Sequence, residues 1–585
     1  MKPKSKLSFF RSINELRKRQ RALQVSAEAV VGALLSHWCS QKYPGLGAHG
    51  LESPKELHHE LSLTAFAAAL SNEDFLESTY WLSSTYAMLA DEQQRKKLAM
   101  FFTPASLVRG LLDDLVSAGA DFSTDVFHDP ACGGAAFLAP IAIRMREELR
   151  AQGKTASQVL LHVEEHLTGI DIEPNLCKLS RHFLRMALHA EIRESGMSPQ
   201  FNVSTGDSLR GPNLATAAKR VVVCNPPYRK MTAEELEPLR PAFDHIIEAQ
   251  PNVYALFIAR CVELAGKGGI IGLVTPTSFL SGQYFRKLRK YLMENASFAH
   301  IGMVGSRLGV FIDVEQETAL CILKRKAPED AHSTKVRVSV VSGQGVYTDV
   351  GECALPNSGA AWPIPREPDD VKLLELAGAL KFRLTDYGYR VRIGLFVWNR
   401  DERPAYASMK LAKKAGARHA LPLIWSKDIV LTRTGAKVAF LPEETNLVND
   451  RFVDLGSSDQ PGVITRPSVV LQRVTSNGQP LRLVAAPVPD TLMTKYKGFV
   501  GENHIVILEQ AVDRPAATPR QLATLLRSRP IDRYFRCISG ATNVSAFELG
   551  QLVLPDPLVL KQELAKGGHV DEAVLRAFKS IYPAR

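Results

Sequence analysis

Short apolar runs alternate with longer segments of helical spacing between residues 96 and 326. Seven of these runs have the length of a strand: TDVFHDPA, HLTGIDI, FNVSTGD, RVVVCNPP, GGIIGLVTP, AHIGMVG and TALCILKR. Most are bounded by Gly, Pro or Asp, and helix-like segments such as AFLAPIAIRMREELRAQ separate several of them. Strands that alternate with helices form mainly parallel sheets with helices on both faces. The pattern therefore predicts a doubly wound, mainly parallel α/β sheet for residues 96–326.

The segments on either side of this region have different patterns. Residues 1–95 are rich in Leu, Ala, Glu and aromatic residues at helical spacing, which predicts an N-terminal helical extension. Residues 327–389 are irregular apart from DDVKLLELAGALKF, and we interpret them as a linker with one helix. Residues 390–585 contain irregularly spaced strand-like runs, among them RVRIGLFVW, SVVLQRVTS, LRLVAAPV and HIVILEQ. They are predicted to form a separate mixed α/β domain.

Composition narrows the class of protein. A chain of 585 residues is too long for a single core, and 45% hydrophobic with 23% charged residues is typical of soluble globular proteins. No run of about eighteen apolar residues occurs, so no membrane span is expected. The eight scattered cysteines form no CxxC or Cys/His cluster, which predicts a cytoplasmic setting without disulfides or a zinc site. The net charge of +11 is compatible with a polyanionic partner.

The run KRVVVCNPPYRKM, residues 219–231, ends a predicted buried strand abruptly. Two adjacent prolines lack N–H donors and fix φ near about −65°, so a strand ladder cannot continue through them. The turn therefore holds the side-chain amide of Asn225, the carbonyl of Pro226 and the ring of Tyr228 rigidly at the end of the strand.

Acidic residues close the three preceding apolar runs. Asp129, Asp171 and Asp207 follow successive predicted strands, and ligands of open α/β sheets bind beyond the carboxyl ends of the strands. Each acid alone is equally well explained as a helix cap or a turn former. Their order suits a nucleoside with a cationic sulfonium, because one acid can accept the ribose hydroxyls and another an adenine amino group. No GxxxxGK[ST] element is present, so phosphate cradling is not indicated.

This array resembles the gamma class of S-adenosylmethionine-dependent DNA adenine-N6 methyltransferases. The resemblance rests on FFTPASLV, DPACGG, Asp171, Asp207, the Asn-Pro-Pro-Tyr motif, and NVYALF with GGIIGLVTPTSFLSGQYFRKLRKYL downstream. It implies a Rossmann-like methyltransferase domain at residues 96–326, a target-recognition domain at 390–585, and S-adenosylmethionine as the cofactor. It also implies double-stranded DNA as the partner and a restriction–modification system, with a separately encoded restriction endonuclease as a candidate partner.

The resemblance implies roles for individual residues. The implied catalytic residues are Asn225, Pro226 and Tyr228. The implied cofactor-binding residues are Thr103, Asp129, Pro130, Ala131, Cys132, Gly133, Asp171, Ile172, Asp207, Ser208 and Pro227. One departure is Ala135, where the family usually has a further glycine. If that position adopts φ > 0, alanine costs the cofactor loop about 1 kcal/mol.

The motif has a chemical rationale in this family. An exocyclic adenine amine is a poor nucleophile because its lone pair is delocalised into the ring. Asn225 Oδ1 and the Pro226 carbonyl can accept hydrogen bonds from the amine, which localises the lone pair and directs it at the sulfonium methyl. Tyr228 is expected to stack on the base, which must first be flipped out of the duplex. Phe311 is the candidate for a second stacking ring, and core packing explains it equally well.

Several alternatives stay open at this point. The motif also occurs in enzymes that methylate protein glutamine, and an RNA amino-methyltransferase is a further candidate. Cytosine-N4 enzymes more often have Ser in place of Asn225, which favours adenine. A catalytically silent DNA-binding partner with the same fold is an alternative from a different class, although the retained motif argues against it.

The last domain offers candidates for DNA contacts. Basic and amide residues near its predicted strand ends are Lys427, Arg473, Asn477, Asn503, His504 and Asn543. Such side chains read base edges, contact phosphates or support structure, and the sequence does not separate these roles. The segment PDDVK, residues 368–372, superficially resembles a nuclease signature. Its spacing fits a helix start better, so no cleavage activity is expected.

Overall fold

The structure of the protein is a computed structural model. It describes residues 3–46, 51, 54–57, 60–93, 95, 102–211, 220–305, 317–327, 335–433, 435–440, 450–457, 460–475, 478–539 and 543–579. The chain divides into two compact units, which we call the first and the second unit. The first contains residues 1–279 and 284–359, and the second contains residues 280–283 and 360–585.

The first unit begins with helices that bury aromatic and aliphatic side chains. They are α1 (Pro3–Leu23), α2 (Ala27–Lys42), α3 (Leu61–Asn72) and α4 (Phe75–Leu89), with a short 3-10 turn at Lys55–Leu57. The side chain of Ser26 caps α2 by accepting a hydrogen bond from Ala29 N at 3.0 Å. Trp38 on α2 and Leu82 on α4 are fully buried. Described residues before 95 therefore contain helices and no strand, as the helical spacing predicts.

A nine-stranded sheet dominates the rest of the first unit. Its strands are β1 (Phe127–Asp129), β2 (Leu167–Asp171), β3 (Asn202–Thr205), β4 (Val221–Cys224), β5 (Ile270–Pro276), β6 (Ala296–Val304), β7 (Thr318–Arg325), β8 (Lys335–Val341) and β9 (Tyr347–Ala354). Their order is β3-β2-β1-β4-β5-β7-β6-β8-β9. Strands β3, β2, β1, β4 and β5 are parallel neighbours, and β7 is antiparallel to β5 and β6. The predicted fold class is confirmed, because β1 to β7 are the seven predicted strands.

Helices connect and cover these strands. They are α5 (Ala105–Ser117), α6 (Leu138–Ala151), α7 (Ala156–His166), α8 (Pro174–Ala187), α9 (His189–Ser195), α10 (Ala233–Leu236), α11 (Arg240–Phe243), α12 (Val253–Leu264), α13 (Ser278–Ser281) and α14 (Arg286–Asn295), with 3-10 turns at Glu237–Leu239 and Gln283–Phe285. All residues of β4 and β5 are buried, as expected for central parallel strands with helices on both faces. The carboxyl ends of β1 to β5 therefore meet at one edge of the sheet.

Strands β8 and β9 extend the sheet beyond residue 326, within the predicted linker of residues 327–389. Strand β8 pairs in parallel with β6, and β9 pairs antiparallel with β8. The sequence YTDVGECA of β9 is mostly solvent-facing and has no apolar period, so only its pairing with β8 makes it a strand. The linker prediction missed both strands, although the alternating valines of β8 (KVRVSVV) are a strand signal and only β9 lacks one. The four-part domain division as a whole stays a prediction.

The helix predicted in the linker is present as α15 (Pro368–Gly378). The carboxylate of Asp370 accepts hydrogen bonds from the backbone N–H groups of Arg366, at 2.9 Å, and Glu367, at 3.0 Å. It also forms an ion pair of 2.6 Å with Arg533. This acid of the PDDVK segment thus caps a helix and neutralises an arginine.

The second unit combines short strands with a helical cluster. Its strands are β10 (Tyr389–Ile393), β11 (Ala405–Tyr406), β12 (Ala420–Ile424), β13 (Ile429–Thr432), β14 (Gly435–Val438), β15 (Phe452–Asp454), β16 (Val463–Ile464), β17 (Ser468–Gln472), β18 (Ala485–Pro487), β19 (Phe499–Gly501) and β20 (Ile505–Gln510). They form sheets in the orders β10-β20-β17-β18, β11-β15-β12-β19-β16 and β13-β14. Its further helices are α16 (Met409–Lys414), α17 (Asp490–Tyr496), α18 (Pro519–Leu526), α19 (Arg529–Ile538), α20 (Ala546–Gln551), α21 (Pro557–Ala565) and α22 (Val570–Lys579), with a 3-10 turn at Ser426–Asp428. No helix among the described residues has the length and apolar character needed to cross a membrane.

Candidate functional site

The loop after β1 brings the backbone close to the end of β2. Asp129 is 1% exposed, and its carboxylate accepts a hydrogen bond from Ala131 N at 3.0 Å. Cys132 N donates to the carbonyl oxygen of Ile170 at 2.9 Å, which ties the loop to β2. Burial raises the pKa of the Asp129 carboxyl well above its ordinary value. The loop is thus a tight turn around a buried carboxyl group.

Ala135 lies in this loop with a φ of +58°, beside Gly133 with a φ of +51°. An L-residue is disfavoured there because its Cβ approaches the following carbonyl oxygen. Ala135 therefore has the positive φ at which alanine is strained, and it occupies a left-handed backbone position. A Cβ on Gly133 would lie 3.2 Å from Cε1 of Phe102, so this glycine also permits a close approach.

Asp171 ends β2 and faces the same loop. Its Oδ2 accepts from Gly133 N at 2.8 Å, and its Oδ1 accepts from Glu173 N at 2.9 Å. Burial raises the pKa of the Asp171 carboxyl, and the two backbone N–H groups oppose that effect. Each carboxylate oxygen retains a further lone pair, so the group can still accept hydrogen bonds from a ligand.

Asp207 and Ser208 follow β3. Asp207 Oδ1 accepts from Leu209 N at 3.0 Å, and Oδ2 lies 3.3 Å from Nε of Arg210. The hydroxyl of Ser208 donates to the carbonyl oxygen of Pro130 at 2.7 Å, which links this loop to the loop after β1. The three acid-bearing loops are thereby joined side by side at the carboxyl edge of the sheet.

The Asn-Pro-Pro-Tyr turn follows β4, and hydrogen bonds hold the Asn225 amide at both ends. Its Nδ2 donates to the hydroxyl oxygen of Thr103 at 2.9 Å, and Thr103 is 2% exposed. The hydroxyl of Tyr228 lies 2.6 Å from Asn225 Oδ1 and 3.0 Å from the carbonyl oxygen of Val274. Pro226 is buried. The amide orientation is therefore set by contacts with a distant loop and with the turn itself.

The Tyr228 side chain contacts helix α12 through its ring and strand β5 through its hydroxyl. Its ring makes an edge contact with Tyr254, with centroids 6.2 Å apart and planes at 80°. Burial raises the pKa of the Tyr228 phenol well above its ordinary value, so it stays a hydrogen-bond donor. Stacking of this ring on a base stays a prediction. Phe311, the second candidate ring, lies outside the described residues.

These loops surround one cavity of about 250 Å³. All eleven predicted cofactor-binding residues line it, together with Asn225, whereas Pro226 and Tyr228 do not. Sequence reasoning missed part of the lining, including Phe102, Glu173, Leu176, Arg210 and Phe257. Glu173 carried a signal because it follows Asp171 by two positions. Phe102 and Phe257 carried one too, because they lie in the FFTPASLV and NVYALF segments on which the resemblance rests. Leu176 carried none, since it looks like an ordinary core residue of a helix.

The predicted DNA contacts are at the ends of strands in the second unit. Lys427 and His504 line one surface depression. Arg473 is half-buried, and its Nη1 donates to the carbonyl oxygen of Asn503 at 2.8 Å. Asn543 is exposed and pairs with Val474 through a β-bridge. Asn477 lies outside the described residues.

Comparison with known proteins relates the chain to DNA-modifying enzymes. The N-6 DNA Methylase family model matches residues 73–349. The Type II methyltransferase M.BsuBI of Bacillus subtilis is 25% identical over 58% of this chain and 65% of its own length. The Type II methyltransferase M.PstI of Providencia stuartii is 24% identical over 80% of this chain and 88% of its own length.

Among solved structures, the Type IIL restriction-modification enzyme MmeI in complex with DNA is similar in fold. It is 10% identical, has a TM-score of 0.55, and is matched over 98% of this chain and 92% of that chain. Residues 73–349 therefore match the N-6 DNA Methylase family, and the chain is similar to Type II methyltransferases.

Proposed function

We propose that this chain transfers the methyl group of S-adenosylmethionine to the N6 amine of an adenine flipped out of double-stranded DNA. The observation that carries the proposal is the place of Asn225. Its amide forms part of the wall of the cavity that Asp129, Asp171 and Asp207 also line. The Asn225 amide, which can accept hydrogen bonds from an amine, and the three carboxyl groups proposed to bind the nucleoside therefore line the same cavity.

The lining fits the proposed cofactor. Carboxylates at the ends of β2 and β3 can accept hydrogen bonds from ribose and adenine donors. Phe102, Leu176 and Phe257 provide apolar surface for a purine ring, and the left-handed Gly133 allows the backbone to approach a ligand. When bound there, S-adenosylmethionine supplies a methyl group made electrophilic by the sulfonium charge.

Asn225 has the main role in positioning the reacting amine. Its Oδ1 accepts one N–H of the amine and the Pro226 carbonyl accepts the other, which localises the nitrogen lone pair. The surplus proton of the methylated amine leaves to water, so no titrating side chain is required as a base. The rate gain comes from preorganised dipoles and alignment.

Thr103 keeps the amide in its working orientation. Because Nδ2 donates to Thr103 at 2.9 Å, Oδ1 is on the opposite side of the amide, where Tyr228 donates to it. An amide turned by 180° would present a donor to the amine instead of an acceptor. Thr103 and the Tyr228 hydroxyl thus act as positioning groups for Asn225.

The names of the relatives support a role in a restriction–modification system. M.BsuBI and M.PstI are Type II methyltransferases by name. We propose by analogy that this chain protects sites from a separately encoded restriction endonuclease. The gamma-class assignment stays a prediction.

The test is methyl transfer from tritiated S-adenosylmethionine to mixed genomic DNA, with RNA and protein as parallel substrates. We expect label in DNA as N6-methyladenine, and its loss in Asn225→Ala. Asn72→Ala is a matched control, since Asn72 is exposed at the end of α3. Label in RNA or protein instead of DNA would overturn the proposal, as would full activity of Asn225→Ala.

A further inference from the structure

Four segments of the second unit converge on one exposed surface. They contribute side chains around a depression of about 280 Å³. We call this the aromatic–basic surface and define it by Trp398, Trp425, Lys427, Val474, Glu502 and His504. Two of these residues, Lys427 and His504, were candidates for DNA contacts from the sequence. Nothing in the sequence beyond residue type indicated that the two tryptophans and Val474 lie beside them.

Backbone hydrogen bonds hold the surface rigid. Asn503 N donates to the carbonyl oxygen of Phe396 at 2.8 Å, and Arg473 N donates to that of His504, also at 2.8 Å. Val474 and Asn543 pair through a β-bridge. The segments before Trp398, after β17 and after β19 are therefore one assembly. A preformed surface loses little entropy when it binds a partner.

Trp398 is the most prominent group on this surface. Its side chain is 66% exposed, and the adjacent Val474 is 49% exposed. The turn that carries Trp398 is closed by hydrogen bonds from the N–H groups of Arg400, at 2.9 Å, and Asp401, at 2.8 Å, to the carbonyl oxygen of Val397. A large ring held outward on a rigid turn contributes little to a core and is typical of interaction sites.

The charges of the surface favour a polyanionic partner. Lys427 is exposed. The neighbouring Asp428 is buried and forms a 2.6 Å ion pair with Arg451, so it does not pair with Lys427. Glu502, the acid among the lining residues, has a side chain 2% exposed and contacts Nδ1 of the half-exposed His504. The outward groups are therefore an ammonium and an imidazole, and the carboxylate is behind them.

We propose that the aromatic–basic surface docks directly on double-stranded DNA. Lys427 contacts a phosphate, and the Trp398 ring packs against a sugar or an exposed base step. His504, held through Nδ1 by Glu502, presents Nε2 to the DNA. Arg473 supports the surface, because its Nη1 donates to the backbone carbonyl oxygen of Asn503 at 2.8 Å. This inference rests on the proposed DNA substrate.

The two kinds of contact have different salt signatures. A lysine on a phosphate releases a counterion, so Lys427→Ala should weaken binding and reduce the slope of log K against log salt by about 0.9. A stacked ring releases none. Trp398→Ala should therefore weaken binding about tenfold and leave the slope unchanged. A merely structural role would not produce this pair of results.

The experiment measures the affinity of the full chain for a fluorescent mixed-sequence duplex between about 50 and 200 mM salt. Leu558→Ala is the control, since Leu558 is an apolar residue of the second unit that is 73% exposed. We expect it to match the wild type. Equal S-adenosylmethionine binding by all variants reports that the first unit is intact.

Two results would overturn the inference. If Trp398→Ala and Lys427→Ala bind DNA as the wild type does, while the wild type methylates DNA, the surface serves another partner and only this assignment fails. If the wild type neither binds nor methylates DNA, the proposed function fails with it. The methylation assay of the wild type thus separates the two failures.

Discussion

Replacement of Ala135 by glycine should relieve backbone strain in the loop after β1. Ala135 is 1% exposed and has a φ of +58°. The left-handed conformation costs an L-residue about 1–2 kcal/mol. Against this gain, the variant loses a buried methyl group worth about 0.8 kcal/mol and adds about 0.4–1 kcal/mol of unfolded-state entropy. The contributions nearly cancel, so the free energy of unfolding should change by less than about 0.8 kcal/mol.

Ala142 provides the matched comparison. It is 0% exposed and lies within α6, where the backbone is helical. Glycine relieves no strain there, and it costs about 0.8 kcal/mol of burial and about 1 kcal/mol of helix propensity. Ala142→Gly should therefore lower the free energy of unfolding by about 1.8 kcal/mol. The difference between the two variants measures the strain at position 135.

Urea denaturation of the full chain provides the assay. The relevant transition is the one whose midpoint rises when S-adenosylmethionine is added, because a ligand stabilises the unit that binds it. Equal destabilisation by Ala135→Gly and Ala142→Gly would refute the reasoning. Position 135 would then contribute no strain in solution, whatever its backbone angle.

Three further predictions follow from the site. Thr103→Val should lower kcat for DNA methylation about 5- to 30-fold with little change in KM for DNA, since it removes a hydrogen bond of Asn225 worth about 1–2 kcal/mol. Thr103→Ser should restore kcat, and failure of this rescue would contradict the orienting role. Asp171→Asn should weaken S-adenosylmethionine binding, measured by calorimetry, about 10–100-fold. The reason is that an amide N–H would face the backbone N–H of Gly133 or Glu173. Unchanged affinity would exclude a role of Asp171 in cofactor binding. Burial lowers the pKa of His128 from 6.5 to about 4, so the folded state holds it neutral. The unfolded state binds the proton below pH 6.5, and stability is lost as the pH falls towards 4, by about 1.4 kcal/mol per pH unit. His128→Asn should flatten this loss in urea midpoints measured at pH 7 and 5, and parallel profiles would contradict the prediction.

The strand pattern and the positions of the acids could be predicted because they depend on local sequence. Each of β1 to β4 lies within a short predicted run, and Asp129, Asp171 and Asn225 close or follow their strands. In a parallel sheet these ends meet at one edge whatever the detailed packing. The shared cavity was therefore foreseeable from order alone. Strand β9 was not, because its polar sequence is a strand only beside β8.

The tertiary structure decided the contacts that orient the site. The hydrogen bond between Asn225 and Thr103 joins residues 122 positions apart. The link between Ser208 and Pro130 joins residues 78 positions apart. No periodicity or motif encodes such a pairing, since it depends on how two loops pack at the same edge. The same is true of the aromatic–basic surface, whose segments are brought together only by the sheets of the second unit.

The sequence by itself determined the elements of the candidate site: a parallel sheet, three acids in order, and an amide on a double-proline turn. Those features are local, because strand propensity, turn stiffness and donor or acceptor character belong to each residue. Only the tertiary structure decided which way the Asn225 amide points, that Ala135 adopts a left-handed backbone, and that Trp398 is held outward beside Lys427. These depend on non-local packing, which no single stretch of the chain specifies.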